Sequence, residues 1–395
     1  MDEKISQAKR IIEGRNPFSK LRDMSQFGNP KLLKMVLSKS NLPVNSTDNE
    51  GKNLLYYAVA NGNKDNVDFL LHLEPELIKY KGKDGKNLLH IFSLQGMSEQ
   101  GKFFKYSDNH SVSILNNLIK ANIDVNEKDE EGNTPLHDAI IFSNNVVVEQ
   151  LIKNGAKLDI RNNYGDTPMD TAFSIHNKLN REYNDIKENL IRNMKKLVDM
   201  GVDFNQIKDN GKTILIEAIE NNNLDVVKFA VALKIDLNKK DAFGNNALHH
   251  TASTLNLNIM RILMNGDVDI NSVNNKKQNA PMIALDTGYM CEHYISYYLD
   301  NYPDFNINHQ DENGNTLLHY CYNNNQIGND KLKQKLIDYG IDVNIKNNDG
   351  LKAGQPKEVV FKVKSKESLA KKLSEKKALK NIMNGFKPSN LSPKY

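Results

Sequence analysis

The stretch DEEGNTPLHDA, from Asp129 to Ala139, decides how the rest of the chain is interpreted, because imperfect copies of it return at nearly fixed intervals. Gly132 can adopt the positive φ that a tight turn requires. Thr134 can cap the helix that follows, and Pro135 stands at the first helical position, where a missing N–H costs nothing. The stretch therefore predicts a turn that leads directly into a helix.

The turn recurs along most of the chain. Six of the eight spacings between successive turns lie within three residues of 33. Helix-start strings such as NLLYYA, TPMDTA and TLLHYC follow the turns, and each is followed by an apolar second helix. A period of this length indicates one continuous repeat array. The aligned turn positions are Gly51, Gly85, Gly132, Gly165, Gly211, Gly244, Gln278, Gly314 and Gly350.

This pattern resembles the ankyrin repeat over roughly residues 44–350. The resemblance implies an all-α fold, namely an ankyrin-repeat solenoid of stacked helix-turn-helix units with short β-hairpin turns. We expect about eight repeats in residues 44–350 and a helical N-terminal cap in residues 1–43. Residues 351–395 are expected to form a basic C-terminal extension, part helical and part disordered.

Two repeats are too long by about 13 residues, with insertions near 93–113 and 173–192. The first has no helical period between Ser93 and Val112 and predicts a loop. The second keeps helical spacing throughout and predicts a longer helix pair. In the seventh repeat, Gln278 in place of glycine predicts a disturbed turn.

The bulk composition is that of a soluble protein, with 39% hydrophobic residues and a mean hydropathy of −0.61. No apolar run approaches the ~18 residues of a membrane span, and the first residues lack the apolar core of a signal peptide. Two cysteines, Cys291 and Cys321, cannot form a disulfide framework and favour a reducing compartment. We therefore expect a cytoplasmic protein without a transmembrane segment.

Charge is distributed unevenly. Residues 352–395 carry 12 lysines and three glutamates, a side-chain charge of +9, which leaves −5 for the preceding 351 residues. An acidic body argues against a nucleic-acid partner. The basic extension is open to three interpretations: a helix that caps the array, a localisation, export or membrane-surface element, or a nucleic-acid contact, the last weakened by the lack of interleaved aromatics.

Catalytic and metal sites have little support in the sequence. The resemblance assigns His90, His137, His249 and His319 to hydrogen bonds with turn backbone groups of adjacent repeats. His250 and the Cys291-Glu292-His293 string lack metal-ligand spacing, and no phosphate loop, zinc-protease or hydrolase-elbow motif is present. We expect no catalytic residue, no metal and no cofactor, and the alternative is an enzyme with a site in the inserted segments or the basic extension.

A binding surface is predicted instead. In ankyrin repeats the two residues before the turn glycine form the hairpin tip, and residues late in the first helix line the concave face. Exposed apolar groups at such positions are typical of interaction sites. Alternatively, Ile141, Phe142 and Ile175 pack under the neighbouring inserted segments, and the loop residues Phe103 and Phe104 either bind a partner or cover the same patch. The candidate partner-binding residues are Leu94, Phe103, Phe104, Glu130, Glu131, Ile141, Phe142, Tyr164, Ile175 and Phe243.

Taken together, the sequence predicts a non-catalytic, monomeric scaffold that binds a partner protein through the concave face and the hairpin tips. Similar arrays with short unclassified tails occur among effectors that intracellular bacteria deliver into host cells. The irregular, asparagine-rich repeats suit that origin, which would place the protein in a host cytoplasm.

Overall fold

The computed structural model describes residues 17–94, 108–287, 291–323 and 329–355, and these ranges contain eighteen α-helices in nine consecutive pairs. Two short 3₁₀ segments, Pro75–Lys79 and Arg181–Tyr183, lie between helices. The helices are α1 (Pro17–Phe27), α2 (Pro30–Ser40), α3 (Leu54–Ala60), α4 (Lys64–Leu73), α5 (Leu88–Ser93), α6 (Asp108–Lys120), α7 (Pro135–Ile141), α8 (Asn145–Lys153), α9 (Pro168–Lys178), α10 (Asn184–Asp199), α11 (Ile214–Glu220), α12 (Leu224–Ala232), α13 (Ala247–Thr254), α14 (Leu257–Met264), α15 (Ala280–Asp286), α16 (Cys291–Asn301), α17 (Leu317–Asn323) and α18 (Asn329–Asp338).

The helices stack in two layers. Odd-numbered helices pack against one another in chain order, and most even-numbered helices do the same. Leucines early in the odd helices, such as Leu55, Leu89 and Leu136, are buried between the layers. Most of the helices are too short to be stable alone, so their stability comes from packing against the neighbouring pair. The predicted all-α solenoid is confirmed.

One turn geometry precedes every odd helix from α3 to α17, and a ninth copy follows α18. In the third turn, Gly132 N donates to Asp129 O at 3.0 Å, and Asp129 N donates to Asn133 O at 2.9 Å. The Asp129 side chain accepts from the backbone N–H groups of Glu131 and Asn133. An aspartate or asparagine makes the equivalent contacts at seven of the nine turns. These side chains hold the turns that aim each odd helix.

Lys277, and not Gln278, occupies the turn position of the seventh repeat. Its N–H donates to Asn274 O at 2.9 Å, and its φ is +56°. The alignment predicted from the sequence was therefore wrong by one residue. Gln278 is buried, and its side chain donates to the Tyr320 hydroxyl at 2.9 Å. The turn is preserved, at the steric cost of a non-glycine residue in the left-handed region.

The two long repeats differ from one another. Helix α6 begins at Asp108, so the prediction of a loop through Val112 was wrong at that end, while residues 95–107 lie outside the described chain. In the second long repeat, α9 and α10 contain 11 and 16 residues, which confirms the predicted longer helix pair.

The N-terminal segment contributes one helix pair. Helices α1 and α2 both lie within residues 1–43, where a helical cap was expected. The first 16 residues of the predicted cap and residues 356–395 of the predicted extension lie outside the described residues. The division into cap, array and extension remains a prediction. Among the described helices, none combines the length and the apolar character needed to cross a bilayer.

Candidate partner-binding surface

Successive turns are linked at their tips by one backbone hydrogen bond. Glu130 N donates to Asp84 O and Asn163 N donates to Glu131 O, both at 2.9 Å, and the bond recurs among the last four turns. In the described chain this bond is missing on both sides of the Gly211 turn and between the first two turns. The row of tips is therefore interrupted in the middle of the array.

Tyr164 and Phe243 project from the turns on either side of that interruption. Their exposed fractions are 74% and 72%. Their backbone N–H groups donate to the side chains of Asn162 and Asp241 at 3.0 and 2.8 Å, which fixes the turn without using either ring. Because the turn does not need these aromatic groups, they are available to a partner. Their role in binding stays a prediction.

The third turn presents acidic groups instead. Glu130 and Glu131 are exposed at its tip, and Asp84 lies exposed on the preceding turn. Lys86 is mostly buried beside them and pairs with Asp129 at 2.6 Å. The tip row therefore changes along its length from acidic to aromatic.

The predicted apolar anchors of the concave face are less exposed than expected. Leu94, Ile141, Phe142 and Ile175 are all half-buried. Ile175 packs against the core because α9 continues to Lys178 and α10 packs along it. This supports the alternative of internal packing for Ile175, whereas binding by the other three remains a prediction. Phe103 and Phe104 lie outside the described residues.

A side-chain contact joins the first residue of several turns to the residue nine positions later on the following helix. Lys208 Nζ lies 2.7 Å from Glu217 Oε2, and the Tyr320 hydroxyl donates to Asp311 Oδ2 at 2.8 Å. The contact fastens each of these turns to the helix that follows it. The same positions hold Asp48 with Tyr57 and Asp241 with His250.

In the third repeat these two positions are both acidic, and they form a buried cluster with His90. Asp129 uses both carboxylate oxygens, one with the turn N–H groups and one with Lys86. Both ring nitrogens of His90 are bonded to turn backbone groups. Only Asp138 Oδ2 lacks a hydrogen-bond partner. Because the other ligand atoms are already committed, we assign this set a structural role and not a metal site.

Burial, together with the neighbouring carboxylates, raises the pKa of Asp138 to about 7, although the ammonium group of Lys86 acts in the opposite direction. Desolvation favours the neutral acid. The ionised form of Asp138 is therefore unfavourable in the folded protein.

The array histidines connect neighbouring repeats. His137 Nδ1 accepts from Thr134 N at 3.1 Å, and its Nε2 donates to Asp166 O, also at 3.1 Å. The Thr134 hydroxyl, expected to cap the helix, lies 2.9 Å from the same Nδ1. Burial lowers the pKa values of His137 and His249 to about 4. The predicted backbone bonding is confirmed, and His90, His249 and His319 repeat it.

The remaining groups considered for catalysis are His250 and the two cysteines. His250 Nε2 lies 3.0 Å from Asp241 Oδ2, and its Nδ1 lies 3.3 Å from Glu220 Oε1. Cys291 and Cys321 are buried free thiols, and burial raises the pKa of each, which disfavours the nucleophilic thiolate. The imidazole of His250 therefore lies between two carboxylates.

A polar groove of about 480 Å³ opens beside the turns of the seventh and eighth repeats. Tyr320 bridges two of its groups by accepting from Gln278 and donating to Asp311. Carboxylates outnumber lysine in its lining, so it can accommodate a cationic side chain. The charged lining residues are Lys276, Asp286, Asp311 and Glu312.

Three segments match ankyrin families. Residues 185–274 match the family described as "Ankyrin repeats (3 copies)", residues 118–172 match "Ankyrin repeats (many copies)", and residues 313–348 match "Ankyrin repeat". Each segment lies within the stack of turns and helix pairs described above. The chain is an ankyrin-repeat protein.

Similar proteins come from distant sources. An ankyrin repeat protein of Acanthamoeba polyphaga mimivirus is 26% identical over 276 residues, which is 61% of this chain and 34% of the relative. Human NF-kappa-B inhibitor zeta is 27% identical over 273 residues, 62% of this chain and 36% of the relative. The chain thus spans about a third of the length of these two relatives. A crystal structure of the ankyrin repeat domain of Bcl-3 has a TM-score of 0.46 and 21% identity, covering 58% of this chain and 92% of that one.

Sequence reasoning missed the buried pair of Asp129 and Asp138. A signal was present, because the first turn residue and the residue nine positions later are complementary polar pairs in four other repeats of this ankyrin chain. Two aspartates at that spacing predict a shared or displaced proton.

Proposed function

We propose that this ankyrin-repeat chain is a non-catalytic scaffold that binds a partner protein through its hairpin tips and the adjoining concave face. Tyr164 and Phe243 act as the aromatic anchors, and Glu130 and Glu131 add an acidic contact. The observation that carries the proposal is the high exposure of two aromatic rings that the fold does not need. A few such residues supply most of the free energy at protein interfaces.

Preorganisation supports this function. The tips are fixed by side-chain caps and by backbone bonds between turns, so docking orders few additional groups. Binding to a preordered surface loses less conformational entropy than binding to a mobile one. One relative, NF-kappa-B inhibitor zeta, is named as an inhibitor of NF-kappa-B, which is consistent with a protein partner.

The competing class, an enzyme with a site in the inserted segments or the basic extension, gains no support from the described residues. The thiols are buried, and the imidazole of His250 is held between two carboxylates. The array histidines use both ring nitrogens for backbone contacts. A scaffold accounts for these groups without further assumptions.

The cellular compartment of the protein is also part of the proposal. A cytoplasm suits two free buried thiols, because a reducing compartment keeps them reduced. The secreted-effector interpretation depends on the irregular, asparagine-rich repeats alone. Protein binding does not depend on that interpretation.

Capture of a partner by variants of the full chain tests the proposal. The double variant Tyr164→Ala/Phe243→Ala is expected to lose at least about tenfold in affinity while its thermal midpoint stays within ~1 °C, because both side chains are exposed. Tyr183→Ala is the matched control, since Tyr183 is 48% exposed and lies in the connection between α9 and α10. Unchanged capture by the double variant would exclude the tips as the binding surface.

A further inference from the structure

The stack is loosest between the fourth and fifth repeats. Helices α9 and α11 contact one another much less than other successive odd helices do, and α10 and α12 barely touch. The tip bond between the corresponding turns is missing too. A cleft of about 580 Å³ opens there, between the second helices of the two pairs. It lies on the even-helix layer, away from the tip surface proposed above.

A buried histidine with one unused nitrogen lines this cleft. His176 is fully buried, and its Nδ1 lies 3.0 Å from Asn223 Nδ2. The Asn223 amide is oriented by its other atom, because Oδ1 accepts from Val226 N at the start of α12. The amide therefore donates to Nδ1, and the proton of the imidazole is on Nε2.

His176 Nε2 has no hydrogen-bond partner. Burial lowers the pKa of His176 to about 4, so the ring is neutral at physiological pH. A buried N–H without an acceptor is costly, and each such group in a folded protein needs an explanation. Nε2 has almost no accessible surface, so an oxygen acceptor supplied by a ligand in the cleft would satisfy it once the packing over the ring opens.

The rest of the lining defines the chemistry of that ligand. The lining contains three positively charged side chains and two carboxylates. The positive groups are Lys187, Arg192 and Lys228, and the carboxylates are Glu188 and Asp225. Lys187 is 3.8 Å from Asp225, a long contact that leaves it able to pair with another anion.

Apolar groups complete the wall. Ile191 comes from α10, whereas Phe229 and Ala232 come from α12, so the two helices face one another across apolar surface. Such a cleft buries a hydrocarbon chain favourably.

We propose that this cleft binds an apolar carboxylate. One carboxylate oxygen accepts a hydrogen bond from the N–H of His176 Nε2, and Lys187 and Lys228 pair with the negative charge. The apolar body lies against Ile191 and Phe229. The ligand thereby bridges α10 and α12 and stabilises the loosest junction of the array. Two sources present this chemistry: a free fatty acid, and the C-terminal carboxylate of a polypeptide that ends in an apolar residue.

The test uses the full chain with octanoate as the probe, followed by ¹⁵N imidazole spectra and thermal unfolding. Octanoate is expected to raise the thermal midpoint and to shift the Nε2 resonance of His176. The resonances of His137 and His249 are the internal controls, because both nitrogens of these equally buried rings are already bonded. No shift of His176 at about 10 mM octanoate or C-terminal peptide overturns the proposal.

Pairs of matched probes distinguish the contribution of the ligand's negative charge from that of its apolar chain. Octanol is expected to bind at least about tenfold more weakly than octanoate, because it lacks the charge that Lys187 and Lys228 attract. Equal binding of both contradicts the carboxylate assignment. A peptide with a C-terminal Leu-Leu and a free carboxylate, compared with its amide, tests the polypeptide source, and binding of octanoate alone assigns the site to a free acid.

Variants at exposed lining positions complete the test. Lys228→Met is expected to weaken octanoate binding about tenfold, and Ala232→Trp is expected to block the cleft. Lys153→Met, at an exposed lysine on α8, is the control for loss of one positive charge. Binding that survives Ala232→Trp with unchanged affinity places the ligand elsewhere and contradicts the proposal. The outcome is independent of the tip variants, which lie on a different surface.

Discussion

Asp129 and Asp138, nine residues apart, bring two carboxylates together in a buried cluster in which one oxygen of each and a ring nitrogen of His90 lie within 4.8 Å of one another. The first aspartate is saturated with hydrogen bonds, and the second has one oxygen without a partner. Burial and, to a smaller extent, the like charge of the first carboxylate disfavour ionisation of the second carboxyl. The repeat closest to the ankyrin pattern thus contains a group that opposes folding at neutral pH.

Asp138→Asn is expected to stabilise the protein at pH 8 by about 2 kcal/mol or more. The folded pKa, about 7, lies above the ordinary value of 3.8, so ionising Asp138 removes stability as the pH rises between these values. Near pH 4 the variant and the wild type should be equally stable. Urea unfolding at pH 4.5 and pH 8 measures the difference, and an equal effect at both values would contradict the assignment.

The buried histidines make the opposite contribution. The folded pKa values of His137 and His249 are about 4, below the ordinary 6.5, so stability is lost as the pH falls from 6.5 towards 4. Each group contributes a slope of up to about 1.4 kcal/mol per pH unit in that window. Measurement in the Asp138→Asn background removes the opposing contribution of Asp138. A stability that does not change between pH 6.5 and pH 4.5 would show that these rings are not buried as neutral groups.

Lys277→Gly is expected to stabilise the seventh turn by about 0.5–1 kcal/mol. Lys277 has a φ of +56° and is exposed, so glycine relieves steric strain, although it adds freedom to the unfolded chain. Scanning calorimetry of the full chain measures the change in thermal midpoint. A destabilised Lys277→Gly variant would mean that the left-handed assignment is wrong.

A comparison of two glycine-to-alanine variants measures how closely neighbouring turns pack against one another. Gly244→Ala places a Cβ 2.7 Å from Asn275 N, whereas a Cβ at Gly51 meets nothing within 4 Å. Both have a positive φ, so the backbone strain is shared and the difference isolates the close approach of neighbouring turns. Gly244→Ala is therefore expected to be the more destabilising of the two.

Hydrogen exchange is expected to distinguish the turns. The amides of Asn163 and Asn275 donate to the preceding turn, whereas the described structure contains no such bond at Asp209. Amides without a partner exchange by small local openings. Asp209 should therefore exchange much faster than the other two by NMR. Equal protection at the three positions would show that the row of tips is continuous.

The sequence predicted features that each repeat encodes locally. Gly132, Pro135 and His137 act within one turn and its neighbour, so their roles could be inferred from the residues alone. The position of Lys277 in its turn could not be inferred, because nothing in the sequence marks a lysine that adopts the left-handed conformation. The loose junction of α9 and α11 was also missed, since the sequence gives the length of the insertion and not the packing that results from it.

The candidate partner-binding residues could likewise be predicted only where a single repeat encodes their position. Tyr164 and Phe243 were identified because tip positions are exposed in any stack of this kind. For Ile175 the sequence left both binding and internal packing open, because its burial depends on α10, a helix that belongs to the irregular part of the array. His176 was missed altogether, because a histidine outside the repeated slot carries no signal in a single sequence.

Site-specific photocrosslinking tests the central claim most directly. A photoreactive phenylalanine at position 164 or 243 is expected to form adducts with one and the same protein in an extract from which the intact chain captures a partner. The same group at position 183 should form none, because that residue lies away from the tips. Adducts at position 183 and none at positions 164 and 243, with the captured partner present, would contradict binding through the hairpin tips.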